Sequence, residues 1–204
     1  MKYSHGNTWE RTGMESPFAT FVKQIYPLSN QAIDHINRNT YLVNVKKGSY
    51  LLKSGDVSRQ LFLIMKGVVR AYMKEGSREI TTWINAENEV IASIRGFNFQ
   101  LPSKENIQAL EDSIMVGADF DTLQHMYATF PEMNIVGRKI LEQYYCDAEE
   151  RAYICRIPNA SRRYNYFLET KGSLANRIPL KYIASYLGIT METLSRIRGK
   201  KVIS

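Results

Sequence analysis

Between Tyr41 and Ala118 the chain breaks into eight short apolar runs, and this punctuated pattern constrains its fold more than any other feature. Tyr41, Val43 and Val45 share one face at a period of two, and strand-like runs follow at residues 50–52, 61–65, 68–73, 80–84, 90–92, 107–110 and 114–118. Runs this short cannot be helices of ordinary length, and alternation at period two places one face of each on a core. Lys47-Gly48, Ser54-Gly55-Asp56, Lys66-Gly67 and Glu75-Gly76 separate them with residues suited to tight turns. The spacing predicts one closed antiparallel double sheet of eight strands.

Helical periodicity flanks this region on both sides. Phe18, Phe21, Val22, Ile25 and Tyr26 recur at helical spacing, and Ser29 offers an N-cap to a second short helix through Ile33 and Ile36. The polar residues before Phe18 carry no pattern, and Met14 is an alternative start, so residues 1–17 are expected to be a flexible extension. After Asp119 the pattern is helical to the end. A long helix should begin at Pro131 with Thr129 as its cap and stop near Arg156, ahead of Pro158. Its stripe of Met133, Val136, Ile140 and Tyr144, continued by Ala148, Arg151 and Cys155, predicts packing on the sheet domain and on a second copy of the helix. Asp147 and Arg151 are placed to pair across that seam. Cys146 and Cys155, nine apart on one helix, are out of disulfide reach and read as buried or half-buried thiols.

Charge is unevenly placed. The chain carries a net +7, and all of it lies in residues 161–204, where nine Lys or Arg face only Glu169 and Glu192. A basic module beside a neutral one fits a partner with a phosphate backbone. The run KYIASYLGITMETLSRIRGK, Lys181 to Lys200, adds helix-turn-helix spacing. Ile183, Ala184 and Leu187 line one helix, Gly188 permits the turn, Thr190 caps the next helix, and Leu194 and Ile197 point inward. Glu192, Ser195 and Arg196 then share the opposite face, with chemistry suited to cytosine, a phosphate or base, and guanine respectively. Thr190, Thr193, Arg198, Lys200 and Lys201 complete the expected DNA contacts. The competing reading of Glu192 and Arg196 is an ordinary surface ion pair.

These residues give the chain a resemblance to the Crp/Fnr family of bacterial regulators, over nearly its whole length from Phe18. The glycines of KKGSYLLKSGD and MKGVVR fall where that family places turn glycines, and Glu192, Ser195 and Arg196 match its Glu-x-x-Ser-Arg recognition pattern. The resemblance implies an α+β protein: an N-terminal antiparallel β-roll of the jelly-roll type, a long dimerisation helix, and a C-terminal helix-turn-helix, winged-helix-like with a truncated wing. It implies a sensor domain over 18–130, the dimerisation helix over 131–157 and DNA binding over 158–204. Implied partners are palindromic double-stranded DNA with TGA-containing half-sites, a second copy of the chain, and RNA polymerase, all in the cytoplasm.

Two departures from the family stand out. Its nucleotide-binding Gly-Glu and Arg-Ser pairs correspond here to Asn88-Glu89 and Pro102-Ser103, so the phosphate-binding arginine is missing. Lys104 offers only a flexible point charge in its place. The candidate effector pocket is therefore Glu89, Arg95, Ser103 and Tyr144, with an effector of unknown identity other than cyclic AMP. The family's N-terminal cysteine cluster is also absent, and no cofactor or metal is implied. An enzyme of cupin type would need histidine ligands, and residues 41–119 contain none. A ligand-sensing module without DNA binding would keep the phosphate arginine and lack the basic helices. A cyclic-nucleotide responder with a non-standard phosphate site is the nearer alternative.

Overall fold

The computed structural model describes Trp9 and residues 13–201. Ser16 and Ser29 open two helices, α1 (Pro17–Ile25) and α2 (Asn30–Asn39), each hydroxyl accepting a first-turn N–H at 3.2 Å. Most of the expected flexible extension lies outside the described residues. What is described of it corrects the expectation, since Trp9 and Ser16 are buried and Trp9 donates its indole N–H to the Thr40 carbonyl at 3.0 Å.

Eight strands follow: β1 (Thr40–Val45), β2 (Tyr50–Leu52), β3 (Gln60–Lys66), β4 (Val69–Glu75), β5 (Arg78–Asn85), β6 (Val90–Ile91), β7 (Asn106–Ala109) and β8 (Ser113–Asp119). They form two antiparallel four-stranded sheets, ordered β1-β8-β3-β6 and β2-β7-β4-β5. The closed double sheet expected from the pattern is thus corrected to two sheets facing each other without ladder closure among the described residues. Tyr41, Val43, Phe62, Ile64, Trp83, Ile107 and Met115 fill the space between them. In β3 and β8 the apolar runs are nearly continuous because both faces are covered. Leu61, Leu63, Val116 and Ala118 point outward, onto Phe18, Val22, Leu123 and Met133 from the helices. Gly67 has φ +120°, and a β-carbon there would stand 2.1 Å from the Ser113 hydroxyl, so only glycine fits this β3–β4 turn.

A five-residue helix, α3 (Ile94–Asn98), interrupts the strands, and α4 (Phe120–Thr129) leads into the long helix α5 (Pro131–Arg156). Pro131 is the first helical residue, but Thr129 is the last of α4 rather than the cap, a role that falls to Phe130 without a side-chain bond. The expected dimer stripe is also reassigned. Met133 and Val136 are buried, and Ile140 packs with them on the chain's own helices and sheet. A helix face with apolar residues takes the nearest apolar surface, which here is intramolecular. The large apolar residues exposed on α5 are Leu141 (49% exposed), Tyr145 (66%) and Tyr153 (52%). Both cysteines are exposed on this helix, correcting the expectation of buried thiols. Asp147 accepts from Gln143 at 2.9 Å, and Arg151 lies over the Tyr144 ring at 5.3 Å, so neither needs the other.

The remaining helices are α6 (Ala160–Lys171), capped by Asn159, then α7 (Leu180–Tyr186) and α8 (Met191–Lys201). Tyr164, Phe167, Ile183, Leu187, Leu194 and Ile197 form their core, joined by Ile84 of β5, by Val68 and Leu110 beside β4 and β7, and by Ile154 of α5. Polar contacts fix the docking. Ser185 accepts the Thr81 N–H at 2.9 Å and donates to the Glu79 carbonyl at 2.8 Å, occupying backbone groups on the edge strand β5. Arg70, 1% exposed, lies 3.5 Å from the Tyr182 ring of α7 and 4.1 Å from that of Tyr72, and bonds to Gln108 and Glu79.

Candidate nucleic-acid interface and sensor cleft

Helices α7 and α8 are joined by a turn in which Gly188 adopts φ +63°, the left-handed conformation that favours glycine. The Thr190 hydroxyl accepts the Thr193 N–H at 3.2 Å and donates to the Thr193 hydroxyl at 3.1 Å, so Thr190 caps α8. Leu194 and Ile197 are buried against α6 and α7. Their burial turns Glu192, Ser195 and Arg196 outward, and all three are exposed. No ion pair joins Glu192 to Arg196 among the described residues. Glu192 is engaged by its own backbone N–H and by Thr190, which hold its carboxyl below the usual range. The exposed Arg196 has no acidic partner among the described residues. Arg198 is half-buried, and Lys200 and Lys201 end the helix with side chains outside the described residues.

Three of the nine basic residues of residues 161–204 are spent inside the molecule. Arg177 donates to both carboxylate oxygens of Glu87, at 2.6 and 2.9 Å, and to Glu111. Lys171 stands 3.7 Å from Glu89. Arg163 bonds only backbone carbonyls. Arg162, Lys181 and Arg196 remain exposed. Formal charge therefore overstates the surface available to phosphates.

The Arg177 contact makes docking pH-dependent. Arg177, together with the Gly67 N–H, holds the Glu87 carboxyl at about 2 against an ordinary 4.5. A carboxyl depressed by folding adds stability above its unfolded pKa and loses it as pH falls through the folded one. Contact between sheets and C-terminal helices should weaken between about pH 4.5 and pH 2. Amide hydrogen exchange at Ile183 and Leu187 should report this opening, and Arg177→Ala should show it already at neutral pH. Equal exchange in variant and parent would contradict it.

The four expected pocket residues are only partly assembled. Glu89 and Tyr144 share a cleft of about 460 Å³ with Asn85, Asn88, Lys139 and Gln143, between the β5–β6 turn and α5. Burial pushes the Glu89 carboxyl up, against the opposing pull of Lys171, and the Ala86 N–H donates to it at 2.8 Å. Asn88 holds φ +65°, the backbone state that a glycine would favour there. Ser103 is elsewhere, buried and paired with Ser93 at 3.0 Å, and Arg95 is exposed on α3. Beside the Ser93–Ser103 pair sits Glu105, which the sequence reading overlooked. Its carboxylate takes the Trp83 indole N–H at 3.1 Å and a bond from Ser93, while burial raises its pKa. A lone Glu two residues past Ser103 gives no sequence signal.

Residues 42–130 match the model of the cyclic nucleotide-binding domain. The chain is 26% identical over 171 residues to the electron transport regulator A of Shewanella oneidensis, and 26% identical over 169 residues to the fumarate and nitrate reduction regulatory protein of Yersinia pestis. The chain resembles the regulators of the Crp/Fnr family in sequence and in fold. Each alignment covers 76% of this chain and 66% of the relative, so the match spans just under two thirds of these regulators' length. Two solved structures share this Crp/Fnr fold at 18% identity: FixK2 from Bradyrhizobium japonicum, with TM-score 0.67 over 79% of this chain and 83% of that one, and a Crp/Fnr-family protein from Eubacterium rectale, with TM-score 0.69 over 88% of each. The curated relatives are named as regulators. Among the described residues, no helix is long and apolar enough to cross a membrane.

Proposed function

We propose that the chain is a dimeric, sequence-specific DNA-binding regulator of transcription that acts in the cytoplasm. The observation carrying this reading is the outward face of α8, where Glu192, Ser195 and an acid-free Arg196 stand opposite a buried Leu194 and Ile197. A helix with this face enters the major groove, where Arg196 takes guanine O6 and N7 and Glu192 a cytosine amine, with half-sites carrying a TGA core. Thr190, Thr193, Arg198, Lys200 and Lys201, with the exposed Arg162 and Lys181, supply backbone contacts. Residues 18–130 act as sensor, 131–157 as dimerisation helix and 158–204 as the DNA-binding unit, with RNA polymerase as a further partner.

The dimer seam is Leu141, Tyr145, Ala148, Ala152 and Cys155, whose 4-3-4-3 spacing fits a left-handed helix pair. Tyr145 and Leu141 also rim a largely apolar groove beneath α5, which a second α5 would cover. Fluorescence anisotropy on a palindromic TGA-containing duplex and on its scrambled counterpart tests the reading. Preference for the palindrome by roughly a thousandfold or more at physiological salt is expected, and equal affinity for both would refute it.

Cyclic AMP is not the effector in this reading. Its phosphate would meet the Glu105 carboxylate beside Ser93 and Ser103 instead of a guanidinium, and like charge in a partly buried site repels. Calorimetry should register no heat of binding and no change in DNA affinity. Saturable binding of cyclic AMP would overturn this and favour a non-standard phosphate site.

A further inference from the structure

Arg163 belongs to the basic C-terminal segment, yet it is half-buried, and its Nε and Nη1 donate to three backbone carbonyls. Nε donates to Ile157 O at 2.6 Å, and Nη1 donates to Leu187 O at 2.9 Å and Gly188 O at 3.2 Å. The first carbonyl lies one residue beyond the end of α5. The other two form the α7–α8 turn, where Leu187 closes α7 and Gly188 reverses the chain. Carbonyls at helix ends lack partners within the helix and carry its negative pole, so a guanidinium is a suitable bridge between them.

We infer that Arg163 is a positioning residue that fixes the recognition helix α8 relative to the long helix α5. The inference rests on the DNA-binding reading above. In a two-fold dimer joined along α5, the relation of α8 to α5 sets the distance between the two recognition helices, and with it the separation of half-sites, about one helical turn. The planar fork of arginine holds several acceptors in a fixed geometry, whereas a lysine ammonium on a flexible stem does not. Arg163 thus determines which half-site spacing is read, without touching a base.

The test uses the full-length protein, Arg163→Met and Arg163→Lys, on duplexes with two TGA-containing half-sites at the preferred spacing or with one or two base pairs added or removed. The parent should discriminate sharply between spacings. Both variants should lose roughly tenfold at the preferred spacing and change by less than about twofold at the others, flattening the preference. A phosphate contact would behave differently, since Arg163→Lys would then retain affinity and Arg163→Met would weaken all duplexes together with a smaller salt slope. That result, or unchanged spacing preference, overturns the inference. Amide exchange of residues 187–190 in the free protein should be faster in both variants. It checks the clamp separately, and unaltered exchange rejects it whether or not the variant binds DNA. A parent protein without sequence preference would instead overturn the DNA-binding reading.

Discussion

Arg196→Ala is expected to lose roughly 1–3 kcal/mol on the preferred duplex while binding to unrelated duplexes changes little. The loss follows from the two parallel hydrogen bonds a guanidinium makes with guanine, and from Arg196 having no acidic partner on α8. Discrimination should relax at one base pair of each half-site, and a full substitution series of the site would show where. Lys181→Ala and Lys200→Ala are the contrasting variants. Each should weaken all sequences about equally and reduce the salt slope, as loss of a phosphate contact does. If Arg196→Ala behaved in the same way, Arg196 would be a backbone contact and the register of α8 in the groove would be wrong.

Leu141→Asp should separate the dimer. Leu141 and Tyr145 are exposed on the outer face of α5, and a charge at this seam in each chain places two carboxylates together in an apolar interface. Sedimentation should change from twice the chain mass to one chain mass at micromolar concentration. Affinity for the palindrome should then fall by roughly a hundredfold or more, because the second half-site is no longer engaged at high effective concentration. Single half-site binding should be retained. Ile140→Asp is the informative comparison, since Ile140 packs against the chain's own core and a carboxylate there should lower the melting temperature. A Leu141→Asp protein that stays dimeric would move the seam elsewhere.

These choices reflect what the sequence displayed and what it concealed. All eight strands were visible because short apolar runs stand out even at two to eight residues, and the first four connections between them carry glycine. The helix-turn-helix was equally plain, since Gly188, Thr190, Leu194 and Ile197 each have a distinct structural role at fixed spacing. Helix α3 passed unnoticed because five residues, Ile94–Asn98, cannot display a period of 3.6. The long helix was recognised, but periodicity does not say which apolar surface a face will meet. Met133 and Val136 are buried within the chain, and the proposed seam runs instead through the exposed Leu141 and Tyr145. Charge counting failed for a related reason, since Arg177, Lys171 and Arg163 count as basic residues whether they face phosphates, Glu87 and Glu89, or carbonyls. Sheet closure was overestimated because strand number alone does not determine whether edge strands meet.

Reading of a symmetric DNA sequence through α8 is the property on which the proposed function rests. Selection of bound sequences from random duplex DNA tests it most directly, because no site needs to be assumed. The expected result is an enriched palindrome with two TGA-containing half-sites, about one helical turn apart, whose guanine preference disappears in the Arg196→Ala selection. A pool that stays random, or one enriched in a single asymmetric element unchanged by Arg196→Ala, would contradict it.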